Sequence, residues 1–83
     1  MKEKNQDSSG AEALLMKAEV TCKICNLIVK QSLSQKEVAG ILGLTQHEVS
    51  RLLRGYLNEY SLEKLVIFVE LLAENDLEAS KTA

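Results

Sequence analysis

Apolar positions recur along most of the chain at helical spacing. Over residues 12–31, Leu14, Ala18, Thr21, Cys25 and Ile28 fall on one stripe, with Met16, Val20, Ile24 and Leu27 beside it. Only Glu19, Lys23, Asn26 and Lys30 make a clear polar strip. A helix this apolar around its circumference requires more than one partner surface. Its β-branched residues, Val20, Thr21, Ile24, Ile28 and Val29, lower its helix propensity slightly.

Two start signals follow in quick succession. Ser34-Gln35-Lys36-Glu37 is a capping box: the Ser hydroxyl accepts from the third amide of the helix, and Glu37 reaches back to the Ser amide. The short helix it opens carries Val38, Ala39, Ile41 and Leu42 on one face and stops at Gly43, a residue suited to a left-handed cap. Thr45-Gln46-His47-Glu48 repeats the box and opens a helix to about Arg54, with Gly55 as its stop. Helices this short are not stable alone, so both must pack on something, and the preceding long helix is the obvious support. After a loop at residues 56–60, Ser61 offers an N-cap for a last long helix, apolar on nearly every side between Leu65 and Val69. Residues 1–11, polar and containing Ser8-Ser9-Gly10, are expected to form a disordered tail, and residues 77–83 a flexible one; residues 12–76 form the domain.

Composition narrows the class. Eighty-three residues allow one domain, near the lower limit for a self-sufficient core. No Pro and four Gly leave little material for the turns of an all-β fold. No apolar run approaches the roughly 18 residues that span a bilayer, and no secretory signal is recognisable. The expected location is therefore the cytoplasm. Two Cys do not make a disulfide framework. With one His and few nucleophiles, no constellation supports an enzyme, and no cofactor is implied.

The net charge of −2 is unevenly spread. Residues 13–33 carry +2 and residues 34–56 carry +1, whereas residues 57–83 carry −4. Nucleic-acid binding depends on the local field, so the acidic sum does not exclude it; it predicts modest non-specific affinity.

The helix from Gln46 to Arg54 has two faces. Val49, Leu52 and Leu53 cluster on one; Gln46, His47, Ser50, Arg51 and Arg54 share another that holds no acid. Gln pairs with adenine, Arg with guanine, and Ser with either, so this face has the chemistry of a base reader.

Residues 34–55, SQKEVAGILGLTQHEVSRLLRG, resemble the helix-turn-helix of the Cro/cI-like (XRE) transcriptional regulators. Gln35, Val38, Ala39, Leu42, Gly43, Leu44, Val49 and Leu52 stand at the hallmark spacing. The following LLRGYLNEYSLEKL is similar to the short subgroup that contains HigA-like antitoxins, and the likeness extends over about residues 14–73. The resemblance implies an all-α, lambda-repressor-like domain of four to five helices. It implies that Gln35 binds a phosphate and braces the reading residue. Gln46 and His47 would reach base edges, with Ser50 and Arg51 facing the groove one turn on. Arg54 would contact the DNA backbone; Lys36 and Thr45 would add phosphate contacts. Glu48 departs from the basic or small residue many relatives carry.

Plainer readings stand beside these. Glu48 reads better as a capping residue than as a cytosine reader. Thr45 is an N-cap first. His47, Arg51 and Arg54 can be ordinary solvated side chains. Cys22-Lys23-Ile24-Cys25 lacks the four ligands of a zinc site and the βαβ setting of a redox motif, so core packing is the better reading. The surplus apolar surface of the first and last helices serves the core or a subunit interface.

The expected function is thus a sequence-specific DNA-binding regulator, a repressor of bacterial or phage origin. It would bind double-stranded DNA at a palindromic operator as a homodimer, with a cognate toxin protein as a further partner if the chain is an antitoxin. The alternative is a helical protein-interaction module that does not read DNA.

Overall fold

The computed structural model describes the backbone of residues 2–82 and the side chains of residues 12–78. Among the described residues four α-helices follow in order: α1 (Lys2–Gln31), α2 (Gln35–Leu42), α3 (Gln46–Leu53) and α4 (Leu62–Thr82). A single 3-10 turn, Leu57–Glu59, joins α3 to α4. There is no strand among the described residues, and the architecture is all-α as expected.

The backbone is helical from Lys2 and through to Thr82. Lys, Glu, Gln and Ala are good helix formers, no Pro interrupts either end, and Gly10 costs only about 1 kcal/mol relative to Ala inside a helix.

Local chemistry accounts for each helix end. α1 stops where Ser32 adopts a left-handed φ of 54°. The amides of Ser32 and Leu33 then donate to the carbonyls of Val29 and Ile28 at 3.1 and 3.0 Å, closing the last turn. Ser34 caps α2: its hydroxyl accepts from the Glu37 amide at 3.1 Å, and its amide donates to Glu37 Oε1 at 2.8 Å. Ser61 caps α4 by accepting from the Lys64 amide.

The core is assembled from every element. Ile24 enters from α1, Val38, Ala39 and Leu42 from α2, and Val49 and Leu52 from α3. Leu57 of the 3-10 turn and Leu65, Phe68 and Leu72 of α4 complete it. Phe68 is the largest buried side chain and meets Tyr60 edge-on, with ring centroids 5.3 Å apart. Buried Ala39 keeps the side chain small where α2 enters this core. The long helices α1 and α4 pack together and are tied by an amide clasp. Gln31 Nε2 donates to the Leu72 carbonyl at 2.9 Å, and Asn75 Nδ2 donates to Gln31 Oε1 at 2.7 Å. Lys30 pairs with Asp76 beside it at 3.0 Å.

The expected faces of α1 are only partly covered. Thr21 and Ile24 are buried and Ala18, Val20, Leu27 and Ile28 pack against the core. Leu14, Leu15 and Met16 stay about half exposed. The apolar residues of α1 that pack against the core begin at Ala18, so periodicity alone overstates burial toward the N-terminal side. Val66 and Ile67 of α4 are likewise exposed at 40% and 41%. Cys25 is half-buried, but Cys22 is exposed, which corrects the packing role expected for that residue. No helix among the described residues is long and apolar enough to cross a membrane.

Candidate nucleic-acid interface

The candidate interface is the outer surface of α3 and the start of α2. Gly43 makes the turn between the helices: its φ of 71° is left-handed, and a Cβ there would meet no atom within 4 Å, so conformation and not space selects glycine. Its amide bonds the Ala39 carbonyl, and the Leu44 amide donates to the same carbonyl at 2.9 Å. Thr45 then caps α3. Its hydroxyl oxygen accepts from the Glu48 amide at 3.1 Å, and its amide donates to Glu48 Oε1 at 2.9 Å. Glu48 is therefore engaged as the capping partner, as its spacing predicts.

Buried Val49 and Leu52 fix the rotation of α3. With those two inward, the opposite side of a 3.6-residue helix presents His47, Ser50, Arg51 and Arg54, with Gln46 at its flank. Gln46, His47 and Arg54 are exposed, and Ser50 and Arg51 are half-buried. Gln35 and Lys36 are exposed in the first turn of α2. Gln35, expected to brace the reading residue, makes no side-chain hydrogen bond among the described residues.

Arg51 has a partner that its own helix does not supply. The face of α3 holds no acid in its own sequence, yet Glu59 from the 3-10 turn lies against it. Arg51 Nε donates to Glu59 Oε2 at 2.8 Å, and Arg51 Nη2 donates to the same oxygen. The guanidinium also lies over the Tyr56 ring, its Cζ 4.6 Å from the centroid. The hydrogen bond from Arg51, aided by the charges of Arg51 and His47, holds the Glu59 carboxyl below the usual carboxylate range. The same bond raises Arg51 above its ordinary value. Burial pushes the neighbouring Tyr60 hydroxyl up, with the Glu48 and Glu59 carboxylates adding to the effect.

The backbone that carries Glu59 there is a helix-ending turn. Gly55, at φ 96°, lets its amide bond the Leu52 carbonyl at 3.1 Å, and the Tyr56 amide bonds the Arg51 carbonyl at 3.1 Å. The chain reverses, Leu57 is buried, and Tyr56 and Glu59 come back beside the residue they left. Gly55 is the visible sign of this reversal; nothing at an eight-residue separation identifies Glu59 as the partner. A shallow depression of about 440 Å³ lies here, bordered by Leu14 of α1 together with Arg51, Tyr56 and Glu59.

The expected site residues thus fall into two groups. Gln35, Lys36, Gln46, His47, Ser50 and Arg54 keep side chains that make no hydrogen bond or ion pair among the described residues. Thr45 and Arg51 are engaged within the fold. Comparison with curated proteins and with solved structures yields no match. Comparison with protein families yields a helix-turn-helix domain, matched over residues 4–75. That span takes in α2, the turn and α3 together with most of both long helices, and the chain accordingly belongs to the helix-turn-helix domain family.

Proposed function

We propose that the chain is a sequence-specific DNA-binding transcriptional regulator, acting by binding and not by catalysis. The observation that carries this reading is the capped α3, anchored by Val49 and Leu52, with Gln46, His47, Ser50 and Arg54 turned outward. In a helix-turn-helix the second helix enters the major groove, where Gln, Ser and Arg pair with base edges. Lys36 and Arg54 flank that helix as phosphate-contacting cations.

The finer reading is a repressor that binds a palindromic operator as a homodimer. Two copies of α3 would then enter successive major grooves about 34 Å apart. Its likeness to the XRE group further supports an autoregulating antitoxin of the HigA-like kind working in the cytoplasm. The half-exposed Leu14, Leu15 and Met16 on α1 offer apolar surface for a protein partner. The same surface favours the second reading, a protein-interaction module that keeps the scaffold without reading DNA.

Selection from a random duplex library, followed by anisotropy on the enriched site at two salt concentrations, separates the readings. A regulator enriches a palindrome. Two phosphate-contacting cations per protomer predict that log K falls by about 3 to 4 per tenfold rise in salt for a dimer. A folded sample that enriches nothing at low salt refutes DNA reading and leaves the interaction module.

A further inference from the structure

We propose that Glu59 is a positioning residue that presents Arg51 end-on to a guanine; the proposal rests on the DNA-reading function above. Its basis is the way Arg51 is held. Glu59 Oε2 takes the side edge of the guanidinium, Nε and Nη2. Tyr56 covers one face. One Nη1 hydrogen and the remaining Nη2 hydrogen form the free end edge of the planar group, while the second Nη1 hydrogen points to the opposite side. That edge is a two-pronged donor, and guanine O6 and N7 form the matching pair of acceptors in the major groove.

The clamp changes what Arg51 contributes. An unheld arginine is long and flexible, and binding would have to restrict it. Here the restriction is present before DNA arrives, so less freedom is lost on binding. The carboxylate also cancels the charge of Arg51 at a distance while leaving its end donors intact. Attraction to any phosphate backbone is reduced, and the contact with a correctly placed base is kept. Glu59 therefore shifts the balance from general affinity toward discrimination.

This predicts two effects of opposite sign. Using the selected site and its variant with the guanine replaced, discrimination in the intact chain is compared with that in Glu59→Ala, Glu59→Gln and Arg51→Lys. In Glu59→Ala, preference for the guanine falls roughly tenfold, within the range of one lost base contact. Affinity for unrelated duplex rises in the same variant, because a carboxylate has left the interface. Glu59→Gln keeps an acceptor oxygen without the charge, so it retains part of the preference. Arg51→Lys loses the preference, because an ammonium is a point donor without the fork. Both Glu59 and Arg51 lie at the surface side of the fold, and thermal melting by circular dichroism verifies that each variant is folded.

If Glu59→Ala raises affinity for every duplex by one common factor and keeps the full guanine preference, the carboxylate only repels DNA and the assignment is wrong. An intact chain that enriches a site without guanine preference at any position overturns it as well. An intact, folded chain that enriches no sequence overturns both this assignment and the DNA reading on which it rests.

Discussion

The capping box of α3 is the feature on which the interface most directly depends, and Thr45→Ala tests it. α3 has eight residues, too few to persist without its packing and its caps. The substitution removes the hydroxyl that accepts from the Glu48 amide at 3.1 Å, leaving that donor to water. Loss of an N-cap oxygen costs about 1 kcal/mol, within a range of roughly 0.5–2. For a chain of this length the unfolding entropy is near 0.17 kcal/mol per degree, so the melting midpoint should fall by about 6 °C. Thermal unfolding without DNA, followed by circular dichroism at 222 nm, reads this directly. Thr45→Ser keeps the hydroxyl and should retain most of the stability. Ser34→Ala, which removes the equivalent oxygen from α2, should cost a similar amount. The reciprocal bond from the Thr45 amide to Glu48 couples the two residues, so Thr45→Ala and Glu48→Ala together should cost less than the separate effects added. If Thr45→Ser destabilises as much as Thr45→Ala, the methyl group and not the hydroxyl matters, and the capping argument fails.

Three further outcomes are expected. Gly43→Ala should lower stability by about 1–2 kcal/mol through its left-handed backbone alone, while Ser32→Gly should raise stability by about 1 kcal/mol by relieving the same conformation at the end of α1; urea unfolding measures both, and a neutral Gly43→Ala would contradict the observed φ. Burial pushes the Cys25 thiol up, with Cys22 adding to it, so iodoacetamide at neutral pH should modify exposed Cys22 first; equal labelling of both by peptide mass spectrometry would contradict this. The Glu59 carboxyl lies below its ordinary range when folded, so its contact with Arg51 contributes at neutral pH and is lost as pH falls through that lowered value; the titration of its carboxyl carbon by NMR should move upward in Arg51→Ala, and an unchanged midpoint would sink the pairing.

The features legible in the sequence are those written in a few neighbouring residues. Both capping boxes, the cap at Ser61 and the stops at Gly43 and Gly55 involve groups within five positions of one another, so residue type and spacing suffice to specify them. The apolar sides of α2 and α3 follow from the same local geometry, and with them the outward placement of Gln46, His47, Ser50 and Arg54. Burial on α1 was less legible, because a stripe shows which face is apolar but not how far along the helix a partner covers it. Leu14 and Thr21 lie on the same stripe, yet only Thr21 is enclosed by the other elements. The clasp of Gln31 with Leu72 and Asn75 joins residues more than forty positions apart, and no local rule pairs them. Arg51 is the decisive case for the interface. Its position on α3 follows from helical periodicity, but its orientation and available edge depend on Glu59 and Tyr56, which the turn at Gly55 and the burial of Leu57 bring alongside. Local hydrogen bonding determines where helices begin, end and face; only the packing of those helices decides which side chains meet across them.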